Sequence, residues 1–155
     1  MKTTTLLVVS AMIGCAGSLP AQATASRFGG ALPPWVDVAL SQSGFWQRYD
    51  LTSRTSPEIE YGDLDDDGLW DAAIAIVDNG GRRRGIAVIH QIDRSVYIIG
   101  AGQPIGNGSD ELPNSARWSI DRLLDHHYGI RVVLWHAAGW VVWNRQSYVW
   151  VPDVN

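Results

Sequence analysis

The chain has 155 residues, 46% of them hydrophobic and 18% charged, with a formal net charge of −4. That is enough for one domain with a core of useful size and too little for two comfortable ones, and it argues against wholesale disorder. The acidic balance also argues against a nucleic-acid partner, which calls for a concentrated basic surface.

In chain order, the first feature is an export signal. Residues 1–23 carry a short basic start at Lys2, an apolar stretch through about Gly14 and then small residues, the layout of a bacterial secretory signal peptide. The apolar run is well short of the roughly 20 residues that span a bilayer as a helix, so no integral membrane segment is expected. "AQA" at residues 21–23 offers a cleavage site after Ala23. The alternative is a lipoprotein signal ending before Cys15 in "MIGC", with Cys15 as a lipid anchor in the outer membrane. Either way the expected location is extracytoplasmic, periplasmic or secreted. Cys15 is the only cysteine, so no intramolecular disulfide forms. Lys2 is the only lysine, so the mature chain has none for Schiff-base catalysis or a phosphate loop.

Residues 24–155 read as a single β-rich domain. "ALPPWVDVALSQSG" predicts a short helix: Pro34 suits its first turn, Trp35, Val38 and Ala39 share a face, and Gly44 suits its end. "FWQRYDL" reads as a strand. "DAAIAIVD" and "GIAVIH" are apolar runs separated by the turn residues Asn79-Gly80-Gly81, and "SVYIIG" continues the meander. "GAGQPIGNGSDELPN" is a long loop. "SARWSIDRLLDHHYG" is ambiguous, because Ala116, Ile120, Leu123 and Tyr128 roughly fit helical spacing and Gly129 suits a helix end. "IRVVLWH", "GWVVW" and "SYVWV" return to strands. The expected fold is mainly β: an antiparallel sheet or meander with one or two short helices.

The chemistry concentrates in "GDLDDDGLWDAAIAIV", residues 62–77. Asp63, Asp65, Asp67, Gly68 and Asp71 fit D-x-D-x-D-G-x-x-D. A hard cation such as calcium needs six to eight oxygens at about 2.3–2.6 Å, which alternate residues of a tight loop supply. Asp63, Asp65 and Asp67 would bind through side chains and Leu69 through its carbonyl, with Asp71 closing the shell directly or through water. Gly68 gives the bend its backbone freedom, and Asp66 falls out of phase, toward solvent. Without a cation, two such charges about 4 Å apart repel by roughly 1 kcal/mol in water and about 4 kcal/mol at an effective dielectric of 20. An EF-hand would need a bidentate Glu at position 12, where Ile74 stands. A phosphatase-type nucleophile would need an apolar strand before Asp63, and "EIEYG" is not one.

The loop resembles the calcium loop of FG-GAP and VCBS-type repeats, in which the aspartates precede a strand. The resemblance implies one structural calcium ion with Asp63, Asp65, Asp67, Leu69 and Asp71 as its ligands. The chain departs from it at Asp66, where Gly or Asn is more usual. Those repeats build propellers from several copies; this chain carries one copy, so a propeller is excluded.

Other candidates are weaker. Eight tryptophans are many for this length. Aromatics in strands are usually core, but Trp140, Trp143, Tyr148 and Trp150 form the best candidate platform for a glycan or protein ligand. His90, His126, His127 and His136 lack a recurring ligand spacing and read as surface or helix-terminal residues. Arg82–Arg84 read as a solvated hairpin rim, Asp110 and Glu111 as remote candidates for the calcium shell, and Glu58 and Glu60 as carboxylates without an evident cleft. No G-x-S-x-G or H-E-x-x-H signature occurs. The expected protein is therefore an exported, non-catalytic, calcium-stabilised module. The alternatives are a carbohydrate- or protein-binding module using the C-terminal aromatic strands and, third, a secreted calcium-dependent hydrolase.

Overall fold

The computed structural model describes residues 32–52, 58–123, 126–135 and 137–153; the segment expected to be an export signal, Cys15 and His136 lie outside the described residues. The first element is α1 (Pro34–Gln42), with proline at its first turn and Val36, Ala39 and Leu40 buried on one face. The amides of Val36 and Asp37 donate to the Pro33 carbonyl, and Gly44, at φ +70°, turns the chain out of the helix. That turn corrects the strand expected over "FWQRYDL". Phe45–Gln47 forms a 3-10 turn, and only β1 (Tyr49–Leu51) is extended. The turn drives Phe45 under the helix, where it is 1% exposed; full burial of such a side chain contributes about 1.5–3 kcal/mol.

β2 (Ile59–Gly62), β3 (Asp71–Asp78), β4 (Arg84–Ile89) and β5 (Val96–Gly100) join β1 in one antiparallel sheet. Its order is β1-β3-β4-β5, with β2 beside β3 on the same edge as β1. β1 covers the far half of β3 and β2 the near half. Side chains alternate between two cores with the strand period of two. Ala72, Ile74, Ile76, Ala87 and Ile89 pack toward α1, Phe45 and Tyr49. Ala73, Ala75, Ile86 and Val88 face the other way. Both faces of β3 and β4 are thus dry, which explains why they read as continuous apolar runs.

The second sheet is a four-stranded antiparallel meander of β6 (Arg117–Arg122), β7 (Tyr128–Val133), β8 (Ala138–Trp143) and β9 (Tyr148–Pro152). It packs Trp118, Ile130, Val132 and Val141 onto the second face of the first sheet, with Ile105 and Leu112 of the long connecting loop filling the same core. Of the ambiguous stretch 115–129, Arg117–Arg122 is strand and a second strand begins at Tyr128. Trp118 pairs with Val132 and Ile120 with Ile130, while Arg117, Asp121 and Arg122 stay exposed. The architecture is a small, mainly β single domain, in which the described residues form one α-helix, one 3-10 turn and two antiparallel sheets. Among the described residues there is no closed barrel or propeller, and no helix long and apolar enough to cross a membrane.

Candidate metal centre

The aspartate loop hangs between β2 and β3, whose residues Gly62 and Asp71 are register partners. Its carboxylates fold inward to collect the loop's own amides, as short acidic side chains do in tight turns. Asp63 accepts from the amides of Asp67 (3.0 Å) and Gly68 (3.1 Å). Asp65 Oδ1 accepts from Asp67 (3.2 Å), and Asp67 Oδ1 from Leu69 (2.7 Å). Gly68 takes φ +87° with open space where a Cβ would be. One oxygen each of Asp63, Asp65 and Asp67 lies within 4.8 Å of the others. Ligands on opposite sides of a cation with bonds of about 2.3–2.6 Å are separated by about 4.6–5.2 Å, so this group can hold a metal ion.

Asp71 begins β3 and is fully buried. Its Oδ2 accepts from the Leu64 amide and its Oδ1 from the Gln91 amide, each at 2.9 Å. Burial pushes its carboxyl up to about 7, against the relief those amides give. One step beyond the Ala72–Ile89 pair of the β3–β4 ladder stands His90, in phase with Ile86 and Val88 and therefore on the inner face. It is 1% exposed, which overturns its reading as a surface or helix-terminal histidine. Its Nδ1 lies 3.2 Å from Asp65 Oδ2 and its Nε2 2.8 Å from the Tyr148 hydroxyl. The rings of Tyr97 and Trp143 pack against it at 4.9 and 5.0 Å. Burial lowers the His90 imidazole below its ordinary value, with Asp65 opposing. It also raises the Asp65 carboxyl and the Tyr148 phenol. Asp65, Asp71 and His90 form a second group of donors within 4.8 Å, which can also hold a metal ion.

The five expected ligands thus divide. Asp63, Asp65 and Asp67 converge on the outer side; Asp71 meets Asp65 and His90 on the inner side; Leu69 is exposed and tied to Asp67 through its amide. His90 was legible in one respect only: it continues the apolar run of β4, in phase with Ile86 and Val88. Asp66 projects outward at φ +64° and pairs with His127 at 2.6 Å, while His126 is exposed. Asp110 lies away from the loop, on Arg83, which also holds Asp78. Glu60 accepts from the Ile120 amide, tying β2 to β6.

The C-terminal aromatics are half-buried. Trp143 and Tyr148 meet Tyr97 edge to face around His90, Arg131 lies over the Trp140 ring, and the Trp150 indole rests where a Cβ of Gly139 would be. The tryptophans with most surface are Trp70 (65%) and Trp135 (80%). Beside the loop, a groove of about 260 Å³ is lined by residues that include Leu64, Asp66, His127, Tyr128, Trp143 and Arg145. The chain matches no protein-family model, no curated protein and no solved structure.

Proposed function

We propose that the protein is an exported, non-catalytic β-rich module whose 63–71 loop, of FG-GAP/VCBS type, binds one structural calcium ion. Asp63, Asp65 and Asp67 supply side-chain oxygens and Leu69 its carbonyl, with Asp71 reached through water. The observation that carries this reading is the convergence of the three in-phase carboxylates within 4.8 Å. The ion offsets their mutual repulsion and fixes the chain's approach to β3. Extracellular modules hold calcium at about 10⁻⁴–10⁻³ M, so millimolar calcium adds on the order of 0.4–1.4 kcal/mol by mass action. The test is a thermal melt in EGTA and then in millimolar calcium, for the native chain and for Asp63→Asn. A calcium-dependent rise in Tm that the variant loses supports the reading; equal melts in both media end it.

A second reading, a glycan- or protein-binding module, draws support from the groove beside the loop. It joins the Trp143 and Tyr128 rings to the polar groups of Asp66, His127 and Arg145, a mix suited to a sugar face. Glycan arrays with the native chain and Arg145→Ala test it, and silence across a broad panel ends it.

A further inference from the structure

We propose that Asp65, Asp71 and His90 form a second metal position, distinct from the calcium position and taking a borderline divalent transition metal such as zinc. It goes beyond the calcium reading, sharing Asp65 with it as a direct ligand and Asp71 only through the calcium shell's water.

Four observations converge. The first is donor chemistry: calcium takes oxygen, whereas a buried imidazole nitrogen suits zinc, cobalt or nickel. The second is spacing. His90 Nδ1 and Asp65 Oδ2 are 3.2 Å apart; two atoms on zinc bonds of about 2.0–2.1 Å at a tetrahedral angle are separated by about 3.3–3.4 Å. A metal there takes the place of the shared proton. The third is that the outer hydrogen bonds are already in place. Both Asp71 oxygens are oriented by backbone amides, and the far nitrogen of His90 is held by Tyr148, as metal-ligating carboxylates and histidines are held.

The fourth is charge. Asp71 is wholly buried, and among the described residues the arginine ion pairs go to Asp78, Asp110 and Asp153. Ionising a buried carboxyl without a cationic partner is costly, and a divalent ion supplies that partner. Asp65 faces both positions, with Oδ1 turned to the outer loop and Oδ2 to His90. The three protein donors leave room in the shell for a water.

The experiment titrates zinc into the calcium-saturated protein by calorimetry, with imidazole ¹⁵N spectra recorded alongside. The expected result is one equivalent of zinc bound with calcium retained, and a His90 Nδ1 signal that moves from protonated to metal-bound. His90→Gln should lose at least about tenfold in zinc affinity and keep calcium, while Asp63→Asn should lose calcium and keep zinc. Zinc that binds only by displacing calcium, an unaltered affinity in His90→Gln, or an unmoved His90 signal overturns the proposal. If His90→Gln does not fold, the ¹⁵N spectrum of the native chain decides. Zinc binding in a protein that ignores calcium supports this position and ends the calcium reading alone.

Discussion

The Tyr148 hydroxyl, on the last strand of the second sheet, lies 2.8 Å from His90 Nε2 at the end of β4. The other ring nitrogen faces the Asp65 carboxylate, which only accepts, so in the metal-free neutral ring Nδ1 carries the proton and Nε2 accepts from Tyr148. Tyr148→Phe removes the donor and leaves a buried nitrogen unmatched. The expected loss is about 1–3 kcal/mol, read from urea denaturation with an unchanged m-value. A loss below about 0.5 kcal/mol would mean that the hydroxyl contributes nothing beyond its ring.

Asp71 sets a pH dependence that calcium should reverse. Its folded carboxyl titrates at about 7 because it is buried, against an ordinary 3.8. In EGTA the folded state therefore holds a proton that the unfolded chain releases. This contribution is fully present below about pH 4 and is lost as pH rises toward 7. On the calcium proposal a bound ion would favour the ionised form, so its stabilising effect should grow with pH across the same window. Urea midpoints measured from about pH 4 to about pH 8, with EGTA and with calcium, check both slopes.

Gly85 and Gly80 form an internal contrast. A Cβ on Gly85 would stand 2.2 Å from the Ile99 carbonyl oxygen and 2.7 Å from the Ala101 nitrogen, backbone atoms in and just after the neighbouring strand β5. Gly85→Ala must push β5 away from β4 and should cost about 3 kcal/mol or more. At Gly80 the nearest atom is 3.6 Å away, on the flexible Arg82 side chain. Gly80→Ala should be neutral or stabilise by up to about 1 kcal/mol through the unfolded state. Thermal melts of the pair separate backbone crowding from loss of chain freedom.

Asp78 holds the β3–β4 turn through amide donation from Arg82 (2.8 Å) and Arg83 (3.1 Å) to its Oδ1. Those amides, Arg83 first, hold its carboxyl below the usual range. Its contribution is therefore present at neutral pH and lost as the solution is acidified through its folded value. Asp78→Ala should lose about 0.5–1 kcal/mol at neutral pH, shrinking in strong acid. Chemical denaturation of the variant at the two extremes provides the check.

What the sequence disclosed tracks which interactions are local. Ala72–Ile76 and Ile86–Ile89 announced themselves as strands because both of their faces are dry. The D-x-D-x-D-G spacing announced converging carboxylates because loop phase alone brings them together. Residues 116–123 carried two periods at once: Ala116, Ile120 and Leu123 mimic a helix face, whereas Trp118 and Ile120 are the alternation that pairing with β7 selects. His90 was misread because its surroundings are assembled from afar. Asp65 comes from the loop and Tyr148 from a strand 58 residues on, and no local pattern encodes that meeting. The strand expected at Phe45 failed for a similar reason, since burial under α1 outweighed the β-propensity of "FWQRYDL".

The layer formed by α1, Phe45 and Tyr49 covers the centre of one face of the first sheet. A protease product lacking Pro34–Tyr49 would present Ala72, Ile74, Ile76, Ala87 and Ile89 as a flat aliphatic panel, and such panels join to copies of themselves. Clipping that segment should therefore yield oligomers before it yields unfolded chain. On that outcome, the helix that looks like an accessory to a β protein is what keeps its sheet from sticking.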